Sequence, residues 1–263
     1  MANSVLSEVQ SITEHLKSCR WQCCTARTVS QNDMRFMRKY PVFLNRYAIP
    51  FQRICGEFTR QKRPLRILEI GLGSGMMLSY TKTALSIFDA EYRNVIETWN
   101  GVDISPQYES LERCGYDTII KADIEKLFSG DSFDFDICIL LHIAEHLFNP
   151  EKTLGNLFST GSPEAVFCIG YPAHFAFAQR FYEPRLRANP NANGHVSVIS
   201  DRRIKKIAKG CGLNCLANQA SFFLRASTSF LEDYAWWYRF NFLWGQYFPF
   251  WYSEHTTILQ KTT

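Results

Sequence analysis

The sequence lacks the features that would place it in several large protein classes. No uninterrupted apolar run reaches the ~18 residues a membrane span needs, so no transmembrane segment is expected. The opening Met1-Ala-Asn-Ser-Val-Leu-Ser-Glu has neither the basic start nor the apolar stretch of a signal peptide. There are nine cysteines, yet no C-x-x-C pair, and Cys211 and Cys215 have no partner pair. This excludes metal-finger spacing. An odd count, with Cys138 and Cys168 inside apolar runs, fits free thiols in a reducing compartment, so a cytoplasmic location is expected. Strong charge is missing too. The formal net charge is only +4, and the basic clusters, Arg60 to Arg66 and Arg202 to Lys209, are short. They read as solvated faces, and nucleic acid is not the expected partner.

What is present is a globular chain with two changes of pattern. With 46% hydrophobic and 21% charged residues, the 263-residue chain can bury a sizeable core. Residues 1–60 read as helical. Val5, Val9, Ile12 and Leu16 form one apolar face, and a second region, 31–59, carries breaks at Pro41 and Pro50. These pieces precede the first strong strand and are expected to form an N-terminal helical cap or lid. From Pro64 onward, strands and helices alternate. Strands are expected at 65–70, 99–103, 116–122, 133–141 and 165–170, with two more near 214–224 and 255–261. Helices are expected at 75–90, 106–114, 150–158 and 200–211, and 184–194 is the clearest irregular segment. Such alternation implies an α/β fold with a doubly wound, mostly parallel seven-stranded sheet over 61–263.

The strongest chemical signal is Glu69-Ile-Gly71-Leu-Gly73-Ser-Gly75, set between a strand and a helix. Glycines there permit a tight turn and let the backbone approach a ligand closely. The dinucleotide fingerprint needs a glycine at 76, which is Met, and an acid about 20 residues on falls near Glu91, which ends no apolar strand. A nicotinamide cofactor is therefore disfavoured. Asp103 does end an apolar strand, and Asp123 follows the next one. Each also has a plainer reading as a helix N-cap.

Four segments in order, Arg66-Ile-Leu-Glu-Ile-Gly-Leu-Gly-Ser-Gly75, Gly101-Val-Asp-Ile-Ser105, Lys121-Ala-Asp-Ile-Glu125 and Leu141-His-Ile-Ala-Glu-His-Leu-Phe-Asn-Pro150, resemble the class I S-adenosylmethionine-dependent methyltransferases, in the branch with Glu-His after strand four. Gly194-His-Val-Ser-Val-Ile-Ser200 resembles a further segment of that branch. The resemblance implies a Rossmann-like methyltransferase fold and S-adenosylmethionine as cofactor. It puts Gly71, Gly73 and Gly75 against the methionine part and Asp103 on the ribose hydroxyls. Asp123 falls on the adenine amino group, with Ile104 and Ile124 against the ring and Leu141 nearby. Glu69 would hold the glycine turn or reach the cofactor's amino group through water.

His142-Ile-Ala-Glu145-His146 formally matches an inverted zinc-protease motif, but it follows a buried strand rather than lying within a helix. The segment is also similar to the E-x-x-E-H of metal-using O-methyltransferases and of an RNA-end methylating enzyme, with His142 replacing the first Glu. A Glu-His-His set including His195 could then hold a divalent ion. Without a metal, His142, His146 and His195 are general-base candidates, His142 first, for an acceptor hydroxyl. Tyr171 is a candidate to orient the acceptor. The Asn/Asp-Pro-Pro-Tyr segment of nucleic-acid amino-methylating enzymes is absent after strand four.

The aromatic-rich segment 230–252 remains, with Tyr234 to Tyr252 at its centre. It can cover the sheet, wall an acceptor pocket, or contact another subunit or a membrane surface. The expected function is methylation of an oxygen on a small molecule or glycoconjugate. The alternatives are a metal-assisted RNA-end methyltransferase and a non-catalytic cofactor-binding scaffold.

Overall fold

The computed structural model describes residues 42–87, 90–127, 133–172, 178–190, 194–222, 230–248 and 254–261. The apolar face from Val5 to Leu16, with the rest of 1–41, lies outside the described residues. Seven strands form one sheet: β1 (Leu65–Ile70), β2 (Ile96–Asp103), β3 (Thr118–Lys121), β4 (Ile137–Leu141), β5 (Val166–Pro172), β6 (Leu213–Phe222) and β7 (Glu254–Lys261). Their order is β3-β2-β1-β4-β5-β7-β6. The first five pair in parallel, and β7 runs antiparallel to both β5 and β6. The helices are α1 (Asn45–Gln61), α2 (Met76–Ile87), α3 (Tyr108–Cys114), α4 (Pro150–Ser159), α5 (Ala178–Ala188), α6 (Asp201–Gly210) and α7 (Ala235–Tyr247), besides shorter turns. The expected mostly parallel, doubly wound sheet is therefore observed.

The apolar strands are covered on both faces, which is why β4 can be apolar throughout. One core joins Ile54 of α1, Tyr80 of α2 and Tyr238 of α7 to Ile67, Trp99 and Ile139 of the sheet. The other joins Leu154 and Phe158 of α4 and Ile204 of α6 to Cys138, Phe167 and Tyr171. Capping matches the sequence at α6, where Ser200 Oγ accepts from the Arg203 amide at 3.3 Å.

Several local expectations are corrected. No break occurs at Pro50: α1 runs through it to Gln61, past the expected boundary of the cap. Interior proline weakens a helix, but Ala48, Phe51 and Ile54 bury their side chains along this helix. The helix stops at Lys62, left-handed at φ 54, whose amide donates to Phe58 O. Residues 184–188, the first part of the segment expected to be irregular over 184–194, are helical and belong to α5. β4 begins at Ile137, because Phe133 and Phe135 offer their carbonyls to Gly161 and Ser162 instead. The two basic clusters are not simply solvated. Arg203 is buried, with its guanidinium on Glu183 at 2.6 Å and Glu151 at 2.7 Å.

The cluster before β1 works as a clamp. Arg63 and Arg66 grip buried Asp136, just before β4, at 2.8 and 2.9 Å, and the Arg66 backbone amide donates to the same carboxylate at 2.9 Å. Burial alone raises the Asp136 carboxyl, but the bonds from Arg63 and Arg66 outweigh it and hold it at about 2, below the ordinary 3.8. The native state therefore sheds this proton at lower pH than the unfolded chain. The resulting stability is complete above about pH 4 and lost as pH falls through about 2. Asp136→Asn should cost about 2 kcal/mol at neutral pH. Denaturant midpoints against pH should show that gap closing on acidification; a gap independent of pH would contradict the clamp.

Candidate active site

The strand ends of β1, β2 and β4 meet at one level, and the turn after β1 sits over them. Its backbone is left-handed at Gly71 (φ 77) and Gly73 (φ 50), which explains the glycines. The Cβ of any other residue at 71 would fall 1.9 Å from Ile143 Cδ1, whereas at 73 the same position faces open space. The turn is tied to β2 twice. Gly71 N–H donates to Val102 O and Leu72 N–H to Asp103 Oδ2, both at 2.8 Å. Asp103 Oδ1 accepts from the Ser105 amide at 2.8 Å.

Beside this turn lies a cleft of about 480 Å³, lined by Gly71, Asp103, Ile104, Asp123, Ile124 and Ile143 and also by His146, Leu147 and Phe148. Ile104 is 66% exposed and Phe148 52%, so two large apolar side chains face the opening uncovered. The shape and chemistry fit a nucleoside. A flat ring can lie between the apolar walls, and each Asp103 oxygen keeps a lone pair for one hydroxyl of a vicinal diol. The volume is within the ordinary range of small-molecule sites, about 300–1,000 Å³. Asp123 also caps a local turn, accepting at Oδ1 from the Glu125 amide at 3.0 Å, so the plainer reading holds at the same time as its place on the cleft.

Other expected residues sit elsewhere. Glu69 is buried behind the turn, where Oε2 accepts from Trp99 Nε1 and Tyr116 OH, both at 2.8 Å. Gly73 and Gly75 belong to the turn, and Leu141 packs against the core beneath α1 rather than in the cleft. Tyr171 is fully buried and bonded to Thr257 Oγ1 at 2.8 Å; it cannot orient an acceptor, because β5 turns that side chain into the core under α4 and α6.

The three histidines separate into distinct environments. His142 follows β4 in a left-handed conformation, φ 60. Its Nδ1 lies 3.1 Å from Glu145 Oε1 and its Nε2 2.8 Å from Glu254 Oε2. Glu254 is also held by Arg46 of α1 at 2.5 Å. Burial lowers the His142 pKa, but Glu254 and Glu145 outweigh it and the net shift is upward. His146 lines the cleft, with Nδ1 3.2 Å from Gly194 O. His195 stands edge-on to it, ring centroids 5.0 Å apart, and 4.0 Å from Glu145. One donor atom each from Glu145, His146 and His195 lies within 4.8 Å of the others, a set that can draw in a cation. Arg46 and Glu254 escaped the sequence reading. They come from opposite ends of the chain and match no motif, whereas Ile143 and Phe148 lay inside the fourth segment.

The family described as "Methyltransferase domain" matches residues 41–218. The chain belongs to this family, the class I S-adenosylmethionine-dependent methyltransferases. It is an enzyme of that class, and S-adenosylmethionine is its cofactor. No curated protein matches the chain. Among solved structures, the N-methyltransferase NodS from Bradyrhizobium japonicum WM9, in complex with S-adenosylhomocysteine, is similar at a TM-score of 0.53 and 13% identity, over 90% of this chain and 96% of that one. The 1,6-didemethyltoxoflavin-N1-methyltransferase of Burkholderia thailandensis, also with bound S-adenosylhomocysteine, is similar at 0.50 and 12%, over 81% and 78%. The [4+2]-cyclase SpnF is similar at 0.50 and 12%, over 76% of each chain. At these identities the likeness shows the shared fold, and fold leaves the acceptor open.

Glu69 generates a test of the site's foundation. Burial raises its carboxyl to about 7 from 4.5, against the lowering effect of the Trp99 and Tyr116 bonds. The folded state keeps this proton while the unfolded chain loses it, so stability falls as pH rises from about 4.5 to about 7. The loss is on the order of 3 kcal/mol. Glu69→Gln should remove that slope, and melting temperatures from pH 5 to 8 would reveal it. An unchanged slope would mean that another group carries it.

Proposed function

We propose that this methyltransferase acts on an oxygen of a small molecule or glycoconjugate, with His146 taking the acceptor's proton. The observation that carries the reading is the His146 contact with Gly194 O. A carbonyl can only accept, so Nδ1 must carry the proton in that bond, and Nε2 is left with the lone pair of a base. His142, favoured from sequence, has a carboxylate at each ring nitrogen and so no lone pair to offer. It acts instead as a positioning residue for the turn that carries Glu145 and His146. His195 buttresses the His146 ring.

The cofactor supplies an electrophilic methyl group on a sulfonium, and an in-line displacement then depends mainly on alignment and on exclusion of water. Asp103 is assigned to the ribose, Asp123 to the adenine edge, Ile104 and Ile124 to the ring, and Gly71, Gly73 and Gly75 to the methionine part. Glu69 and Leu141 support the turn and β4 from behind. Residues 1–60 are assigned as a cap on the acceptor side, supported by Arg46, which reaches Glu254 next to His142. The acceptor surroundings are balanced in charge, with Arg46 and His142 set against Glu145 and Glu254, which supports a neutral hydroxylated acceptor. Among the described residues, Cys138, Cys168, Cys211 and Cys215 are in no disulfide, which supports a reducing compartment, the cytoplasm.

A second reading draws on the donor set of Glu145, His146 and His195. In it those side chains hold a divalent ion, and the acceptor is a hydroxyl at an RNA end. Calorimetry of metal-stripped protein with a divalent ion separates the two, since only the second reading requires tight binding.

Titration with S-adenosylhomocysteine, with NADH as control, is the primary test. Asp103→Ala should weaken that binding by about 1–3 kcal/mol; equal affinity would remove the ribose assignment. With an acceptor found by screening hydroxyl and amine compounds, His146→Ala should lower turnover by about 10²–10⁴-fold while cofactor affinity stays near that of the parent. An enzyme that methylates amines alone, or a variant with full turnover, would overturn the reading.

A further inference from the structure

The basic residues of α5 and α6 fall into two kinds. Some serve the structure. Arg203 is held by Glu151 and Glu183, and Arg187 by Glu183 at 2.7 Å and Phe148 O at 2.9 Å. Lys205 is paired with Asp201, which also accepts from Asn218. The others do not. Arg180, Arg202 and Lys206 are exposed, and among the described residues their side chains make no hydrogen bond or ion pair. Arg60, Arg93 and Arg113, also exposed, each meet an acid. Arg202 and Lys206 stand one helical turn apart, a spacing at which like charges repel.

These side chains border two adjoining depressions. One, of about 420 Å³, is lined by Glu151, Gln179, Ser200, Arg202, Arg203 and Lys206. The other, of about 490 Å³, shares Gln179 and adds Arg180, Glu183, Pro184 and Arg187. Together they hold five cations, Arg180, Arg187, Arg202, Arg203 and Lys206, against two acids, Glu151 and Glu183, a surplus of three. Both acids are already bonded to Arg203. Ser200, 4% exposed, accepts from the Arg203 amide, which leaves its own hydroxyl proton to donate.

We propose that the Arg202–Lys206 depression binds the phosphate of a small phosphomonoester, a ligand distinct from the cofactor and the acceptor. The donor set carries the assignment. A guanidinium fork, an ammonium, a side-chain amide and a hydroxyl all donate, and phosphate oxygens accept. The fork of Arg202 matches two of those oxygens, while Lys206 adds a point charge. Volume is the second argument, since about 420 Å³ falls in the ordinary range for a small molecule. A single strand of nucleic acid would stack its bases on rings, and neither depression is lined by an aromatic residue. None of the lining residues lines the cleft assigned to the cofactor. A neutral acceptor offers nothing to three uncompensated cations.

The test uses the full chain with inorganic phosphate and ribose 5-phosphate as probes, at an ionic strength held constant with chloride, and follows amide shifts by two-dimensional NMR. Saturable shifts at 179–187 and 200–206 are expected with both probes and none with ribose. Arg202→Ala with Lys206→Ala should weaken binding about tenfold or more. Lys209→Ala removes an exposed charge of α6 outside the depression and should leave binding unchanged. Far-UV circular dichroism of each variant shows that the fold is kept. Absence of saturable shifts would overturn the proposal, as would affinity retained in the double variant or lost equally in Lys209→Ala. Binding of oligouridylate that tightens with its length and falls steeply with salt would overturn it in favour of nucleic acid. Methylation of a phosphomonoester by S-adenosylmethionine would place the phosphate on the acceptor and overturn the separate ligand. The titrations contain neither cofactor nor acceptor, so their outcome does not depend on which acceptor is methylated.

Discussion

The bond from the Leu72 amide to the Asp103 carboxylate is the constraint on which the rest of the site depends. It joins the turn after β1 to the end of β2, and with the bond from Gly71 to Val102 it fixes the height of the glycine turn above the sheet. Parallel pairing of β1 with β2 and β4 puts these strand ends at one level. Only then can Ile104, Ile124, Ile143 and Phe148 enclose a common space. The carboxylate can serve twice, because each oxygen accepts one backbone N–H and still has a second lone pair, and Asp103 lines the cleft. A residue without that second capacity would hold the turn and leave the cleft without an acceptor group.

The second organising feature is the line of charges behind the cleft wall. Arg46, Glu254, His142 and Glu145 come from α1, the start of β7 and the turn after β4. Glu145 continues the connection by accepting at its carbonyl from the Val196 and Ser197 amides. Four distant parts of the chain are thereby fixed around His142. A buried ion pair contributes little net stability once desolvation is counted, but removing one partner strands the other at high cost. Such a network favours one arrangement of the wall over its alternatives. This explains how a histidine comes to stand at a positive φ next to an active site.

The contrast between the two helices that pack near β6 is informative. α6 follows the usual rule, with Ile204, Ile207 and Ala208 inward and Arg202, Lys206 and Lys209 outward. α7 buries Tyr238, Asn241 and Gly245 and leaves Trp236 and Tyr247 exposed. Both are stable on the sheet because the inward contacts suffice in each case. The sheet therefore constrains only one face of each helix, and at α6 the other supplies Arg202 and Lys206 to the depression beside α5.

The sequence by itself determined the sheet and pointed to the residues around the candidate cleft. Apolar runs bounded by glycine and acid signals leave few alternatives to parallel strands, and Gly71, Asp103 and Asp123 were readable because their spacing reflects local geometry: a turn, a strand end and a cap. Tertiary structure decided what local pattern could not. Pro50 lies within a continuous helix because packing of Phe51 and Ile54 outweighs a local penalty. His142, His146 and His195 look alike in sequence, and only their partners separate them: two carboxylates for the first, a backbone carbonyl for the second and a neighbouring ring for the third. Those partners come from positions as far apart as Arg46 and Glu254. A proton's location depends on what stands within about 3 Å of it, and sequence spacing does not encode contacts made across the fold.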